Sequence, residues 1–399
     1  MELESLRCAL CCVAVHRNMM ETELMRNYLT LLEQVRRGDA SGAADCYTWI
    51  YHTLRAGGYT GPGAWLFDRL RYEVSPYSAL VERGEEDAAL AEAAQEEIGT
   101  FALLAGLDCN ALIGRMAEGA SPPLAAAMEK LPAWNTDVPF TFDSLTAFYR
   151  ENGVGLFARS RAFLWQDGAL MPIDSPDCPG EEELLGYALQ REQVVENTRA
   201  LLAGRAVNNV LLYGDTGTGK SATVKYLLRV PGFESLRLIE VQKTELGGLP
   251  QIIRTLRGSR HKFILFIDDL AFDQDDRTYS ILKTVLEGGL EPRPTNVAVY
   301  ATSNRRHLVR QTFSDRLGDE VDAVETVQEK TSLSDRFGVR IAYLALNKAE
   351  YLDMVEYLAK RAGITLTRES LRAQAVKWDM HHPGRTPRTA KQFIASLRR

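Results

Sequence analysis

The sequence predicts an α/β fold: a parallel sheet flanked by helices, preceded by a mostly helical N-terminal region and followed by a helical C-terminal segment. Three observations predict it. Beyond residue 200, short and nearly continuous apolar runs at 209–213, 236–241, 263–267, 297–302 and 339–344 alternate with helical segments, the pattern of parallel strands covered on both faces. Residues 1–150 instead place apolar side chains at helical spacing, as in Leu24, Tyr28, Leu32 and Val35. A glycine-rich turn, Gly214-Asp215-Thr216-Gly217-Thr218-Gly219-Lys220-Ser221, joins the first apolar run to a helix beginning near Lys220.

At 399 residues the chain is long enough for two or three domains. With 25% charged and 45% hydrophobic residues it has the balance of a globular protein, which excludes a disordered chain. Nowhere do 18 uncharged apolar residues run together, so no membrane-spanning helix is expected. The apolar patch at 8–15 follows Glu2 and Glu4 and precedes no small-residue cleavage site, so no signal peptide is expected either. Six scattered cysteines without a paired framework fit a reducing compartment, and the cytoplasm is the expected location. Cys8 and Cys11 form a C-x-x-C, but among Leu6, Leu10 and Val13 on a helix they are expected to pack in the core.

Taken in order, residues 1–150 form a helical N-terminal domain. Further apolar residues recur there around Leu103, Leu107 and Leu112, with Gly57-Gly58, Gly61-Pro62-Gly63 and Pro122-Pro123 as punctuation. His16 and His52 are expected to be structural, and the aromatics from Tyr47 to Phe67 to be core rather than a partner surface. Residues 151–183 read as a β-hairpin and linker, with two β-rich runs between 157 and 173 turning at Gln166-Asp167-Gly168 and an acid- and Pro-rich stretch after them. A helix is predicted over 189–203. Residues 184–344 hold the sheet, and 345–399 are helical throughout, with Tyr351, Val355 and Leu358, and Phe393 and Leu397, as buried stripes. The similar triplets Ser314-Asp315-Arg316 and Ser334-Asp335-Arg336 are too short to be a repeat.

The turn at 214–221 has the spacing of a P-loop, and its strand-before, helix-after context is the one a P-loop needs. Its glycines let backbone N–H groups face phosphate oxygens at a helix N-terminus, Lys220 would reach the β- and γ-phosphates of ATP, and Ser221 would ligate Mg²⁺. The run 263–267 ends in Asp268-Asp269, so a buried strand delivers two carboxylates: Asp268 for Mg²⁺ and Asp269 to orient or deprotonate water. The run 297–302 leads to Ser303-Asn304, where Asn304 can hydrogen-bond the attacking water or the γ-phosphate without adding charge.

This succession, closed by Ser334-Asp335-Arg336-Phe337-Gly338, resembles the AAA+ class of P-loop ATPases over residues 184–399. More narrowly, Asp268-Asp269-Leu270, Leu286-Glu287-Gly288-Gly289, the stretch Tyr300-Ala301-Thr302-Ser303-Asn304-Arg305-Arg306-His307-Leu308, and 333–338 resemble an uncharacterised bacterial AAA+ family known only as a domain of unknown function; the resemblance extends upstream through Phe157-Ala158-Arg159 and Leu185-Gly186-Tyr187. The class implies an AAA+ P-loop parallel sheet with a C-terminal helical lid. It implies that Leu185, Gly186 and Tyr187 flank adenine, that the loop from Gly214 to Ala222 binds nucleotide, that Asn304 is sensor 1, that Arg336 is an arginine finger acting on a neighbouring subunit, and that Arg388 is sensor 2, with Arg385 its nearest competitor. Two departures matter: many members have Asp-Glu where this chain has Asp268-Asp269, and residues 242–249 lack the aromatic pore loop of threading unfoldases.

The expected function is a Mg-dependent AAA+ ATPase that remodels a protein or nucleoprotein partner as a homo-oligomer, with the N-terminal region selecting that partner. An ATP-binding switch or scaffold with little hydrolysis is the alternative that Asp269 in place of Glu suggests. A DNA-linked ATPase is a third reading. Residues 1–150 carry 12 basic and 21 acidic residues, whereas 343–399 carry 11 and 5, so the basic end can face nucleic acid, although a solvated helical face explains it as simply. No membrane partner is expected.

Overall fold

A computed structural model describes residues 3–272, 278–287, 294–305, 308, 333–382 and 384–398. Gly288, Gly289, Arg306, His307 and the triplet at 314–316 lie outside the described residues. The chain divides into two compact units, Met1–Arg159 and Ser160–Arg399.

The first unit is helical. Helices Glu23–Arg37 and Ala40–Ala56 pack against each other across a two-residue link, where Gly38 takes the left-handed conformation (φ 75°) that ends the first and Asp39 accepts the Gly42 N–H to begin the second. Tyr47 stacks on Trp134 at 4.4 Å and donates to the Pro132 carbonyl at 2.9 Å, while Tyr28 meets the same indole edge-on. Leu24, Tyr28, Leu32, Tyr47 and Trp65 are buried as expected, but Trp49 is half exposed. Cys8 and Cys11 are exposed, against expectation. Helix Leu3–Cys11 turns Leu6 and Leu10 inward, and the cysteines fall on the face that this leaves to solvent. Leu103 is also exposed, because Phe101, Leu104 and Ala105 carry the buried stripe of Ala88–Ala105. His16 is structural: it is fully buried and its Nδ1 lies 3.0 Å from Glu97 Oε2. Among the described residues no single helix is long and apolar enough to cross a membrane.

The second unit is built on a seven-stranded sheet: β1 (Ala162–Gln166), β2 (Ala169–Pro172), β3 (Val210–Gly214), β4 (Leu236–Val241), β5 (Lys262–Ile267), β6 (Val297–Ser303) and β7 (Val339–Tyr343). Their order is β2-β1-β4-β5-β6-β3-β7, parallel throughout except for the β1–β2 hairpin. All residues of β6 and Phe263–Ile267 of β5 are buried, which is why their sequences are uninterrupted apolar runs. The hairpin turns at Asp167 (φ 51°) and Gly168 (φ 77°), two left-handed residues as a type I′ turn requires. It pairs β1 with β4 and so extends the sheet. Residues 157–159 belong to a short helix, Gly155–Arg159, rather than to the strand expected there; pairing begins at Ala162.

Residues beyond 347 form three helices, Lys348–Arg361, Arg368–His381 and Pro387–Ser396, separated by short links rather than continuous. Tyr351, Val355, Leu371, Ala375 and Phe393 make their own apolar cluster. The sheet order β4-β5-β6-β3-β7 with this helical appendage is the α/β arrangement expected of an AAA+ P-loop fold. Because β3 connects to β4 past β5 and β6, the C-terminal end of β3 opens into a crevice of the kind where α/β sheets bind ligands.

Candidate functional site

The loop leaving β3 is shaped by three glycines that no other residue replaces easily. Gly214 (φ 132°) would place a Cβ 2.2 Å from the Tyr343 carbonyl oxygen, and Gly217 (φ 81°) would place one 2.9 Å from Arg388 Cβ. Gly219 (φ 97°) is the left-handed residue from which helix Lys220–Tyr226 departs. Thr218 Oγ1 donates to the Asp215 carbonyl at 2.8 Å and tightens the turn.

Three strand ends converge beside it. Lys220 is buried, and its Nζ donates to the carbonyls of Gly214 (2.9 Å) and Asp215 (2.7 Å) and to Asn304 Oδ1 (3.0 Å). Burial lowers its pKa, and the carboxylates of Asp215, Asp269 and Asp268 oppose that shift. Asp268 Oδ1 accepts from Ser221 Oγ at 2.6 Å and from Thr302 Oγ1. Thr302 Oγ1 in turn accepts the Asp269 N–H at 2.9 Å, which helps hold Asp269 in a left-handed conformation (φ 49°) that an Asp tolerates at modest cost. Asn304 Nδ2 donates to Asp269 Oδ1 at 2.7 Å, so one asparagine bridges the lysine and the second carboxylate.

These groups line a cavity of about 680 Å³, within the range of small-molecule sites. Leu185, Gly186, Tyr187, Thr216, Gly217, Thr218, Gly219, Lys220, Ser221, Ala222, Asp268, Asp269, Asn304 and Arg388 all face it; Gly214, Asp215 and Arg336 do not. Tyr187 stacks on Tyr343 at 5.0 Å and donates to the Leu344 carbonyl at 2.6 Å; burial raises both phenols to about 12, so they stay neutral donors. Arg388 reaches the loop from the last helix, its N–H donating to the Gly217 carbonyl at 3.3 Å, whereas Arg385 is paired with Asp379 at 2.9 Å. Arg336 is anchored by buried Leu333 and Phe337 and pairs with Glu287 at 2.9 Å.

Among the lining residues that escaped the sequence reading are Arg191, Thr302, Tyr343 and Lys391. Thr302 carries a signal, a hydroxyl at the end of a buried apolar strand. Arg191, bonded to the Gly186 carbonyl at 2.8 Å, and Lys391, bonded to the Glu183 carbonyl at 3.1 Å, are ordinary helix-surface residues until the lid brings them together.

The residues fit a Mg²⁺-bound polyphosphate. The loop takes left-handed backbone at Gly217 and Gly219 as it enters helix Lys220–Tyr226, the conformation of an anion-binding nest, and Ser221 Oγ beside Asp268 Oδ1 is a pair of hard oxygens of the sort Mg²⁺ takes. Among the described residues no three His, Cys, Asp or Glu side chains converge to hold a metal, and Mg²⁺ shared between one or two protein oxygens and phosphates does not need them.

Residues 158–399 match a family model described as a protein of unknown function (DUF815). No curated protein matches the chain. Among solved structures, the Thermotoga maritima RuvB Holliday junction branch migration motor is 17% identical with a TM-score of 0.37, over 56% of this chain and 64% of that one. The replication initiator DnaA bound to AMPPCP and single-stranded DNA is 15% identical with a TM-score of 0.35, over 54% and 62%. The match spans less than two thirds of either chain, and likenesses this distant carry no functional argument.

Proposed function

Because the chain belongs to this DUF815 family and folds as an AAA+ domain around the cavity, we propose that it is a Mg-dependent ATPase that works as an oligomer to remodel a protein or nucleoprotein partner. One observation carries the reading: an unbroken line of hydrogen bonds from Ser221 through Asp268, Thr302, Asp269 and Asn304 to Lys220, along the wall of a single cavity. In this reading the loop 216–222 cradles phosphates, Lys220 binds their outer oxygens, Ser221 and Asp268 hold Mg²⁺, and Leu185, Gly186 and Tyr187 flank adenine. Mg²⁺, when bound, neutralises phosphate charge. Asp269 takes the proton of the attacking water, or aims it, while Asn304 fixes where that water sits. Arg388 acts in cis from the lid. Arg336, turned to Glu287 and away from its own cavity, is available to a neighbouring copy, which makes assembly part of turnover. The helical N-terminal unit selects the partner, and the protein works in the cytoplasm, where its six free cysteines stay reduced.

Phosphate release by the full chain tests this. Asp269→Asn should keep nucleotide affinity within about twofold and cut turnover by about 10² or more, the range of a general base. No turnover in any assembly state would favour the second reading, an ATP-binding switch. The specific support for that reading is the short Asp269 carboxylate, drawn back to Asn304.

A further inference from the structure

We propose that Asp215 is a positioning residue: its carboxylate holds the hinge between the sheet and the lid, and through it phosphate binding is coupled to the placement of Arg388. The inference rests on reading the cavity as an ATP site. Although Asp215 lies inside the P-loop, it does not line the cavity. Its Oδ2 accepts the Ala345 N–H at 2.6 Å, and its own N–H donates to the Tyr343 carbonyl at 2.9 Å. That carbonyl occupies the space which the missing side chain of Gly214 leaves open.

The link from β7 to helix Lys348–Arg361 is tied down at Leu344, Ala345 and Leu346. Tyr343 and Ala345 bond to Asp215, the Leu344 carbonyl accepts from Tyr187, and the Leu346 N–H donates to the Arg385 carbonyl at 2.8 Å. Tyr343 Oη also lies 3.0 Å from Thr223 Oγ1 on the helix that leaves the P-loop. From the far side, the lid returns to the loop where Arg388 N–H meets the Gly217 carbonyl. Asp215 therefore stands between two partners. Its carbonyl accepts Lys220 Nζ, for which a bound phosphate competes, and its carboxylate accepts the hinge amide. A hydrogen bond to an ionised carboxylate is about twice as strong as a neutral one, so this is the strongest of the hinge ties. A shift of the loop as Lys220 turns to phosphate moves the hinge, and with it the helix that bears Arg388.

Hydrogen exchange of the full chain, with ADP and with a non-hydrolysable ATP analogue, tests the coupling. In the wild type, nucleotide should slow exchange both at 214–221 and at 343–347. Asp215→Ala should speed exchange of the Ala345 amide about tenfold, the loss of one hydrogen bond, and keep nucleotide protection at 214–221 while 343–347 no longer responds. Asp215→Asn, which keeps an acceptor oxygen, should restore the response; a merely structural defect would not separate the two variants. If Asp215→Ala does not fold, Asp215→Ser, too short to reach the amide, takes its place. A hinge that responds in the Ala or Ser variant as in the wild type overturns the inference alone. Absence of protection at 214–221 in the wild type overturns the nucleotide reading and this inference with it.

Discussion

Each unit sets an acid in a network of hydrogen bonds, Glu97 buried in the first and Asp268 half-buried in the second, and the two acids are treated in opposite ways. In the first unit Glu97 is saturated by groups that have no alternative: the N–H groups of Ala14, Val15 and His16 at 2.7, 2.9 and 2.8 Å, and the His16 ring. In the second, Asp268 is satisfied by the hydroxyls of Ser221 and Thr302, and Lys220 partly by the Asn304 amide, all beside a cavity. A backbone amide cannot leave its acceptor without unfolding its segment, whereas a hydroxyl or carboxamide can turn to a ligand. The first network therefore serves the fold, and the second is open to exchange.

Four substitutions sharpen or break that contrast. Arg336→Ala should have the largest effect, a loss of about 10³ in turnover of the assembled protein with nucleotide affinity unchanged, the scale of an arginine finger; steady-state kinetics and a binding titration separate the two quantities. Lys220→Ala should weaken nucleotide binding about 10²-fold, read with a fluorescent nucleotide, and shift urea unfolding little. Glu97→Ala should do the reverse, costing about 2 kcal/mol in urea unfolding by orphaning buried N–H groups while nucleotide affinity stays put. If Lys220→Ala destabilised the chain as much as Glu97→Ala does, the distinction between the networks would collapse.

The smallest effect is one of pH. Burial pushes the Glu73 carboxyl up to about 7, against the pull of His16 and the Met19 N–H. The folded state thus keeps a proton that the unfolded chain releases near 4.5, so this contribution is present at pH 4.5 and lost as pH rises towards 7. Glu73→Gln should flatten that decline between pH 4.5 and 7, measured by urea unfolding at several pH values. Glu97 has the opposite sign. Burial raises its pKa, but its hydrogen bonds outweigh that and hold it at about 2; its contribution is present above the ordinary carboxylate value and disappears as pH falls towards 2.

The sheet was legible because parallel strands buried on both faces announce themselves: the runs predicted at 236–241 and 297–302 differ from β4 and β6 by one residue at most. The hairpin was legible at its turn, where Asp167-Gly168 demands left-handed backbone, and illegible at 157–159, where apolar residues suit a helix as well as a strand. Cys8, Cys11 and Trp49 were misread because a helix shows its apolar stripe only once the packed face is known. The Glu97 cluster joins residues 81 to 83 positions apart, a separation no local pattern records. In the site, the glycine-rich loop and the strand-end Asp268, Asp269 and Asn304 were legible from residue types, and Leu185, Gly186, Tyr187 and Arg388 only through the resemblance, but the direction of a side chain was not: Asp215 belongs to the loop by sequence and to the hinge by its hydrogen bond.

The hairpin also decides how the sheet ends. Its outer strand, β2, is four residues long, is largely exposed and finishes at Pro172, which has no N–H to offer. A strand this short makes a poor template for another, so copies of the chain that associate are steered away from continuing the sheet across that margin.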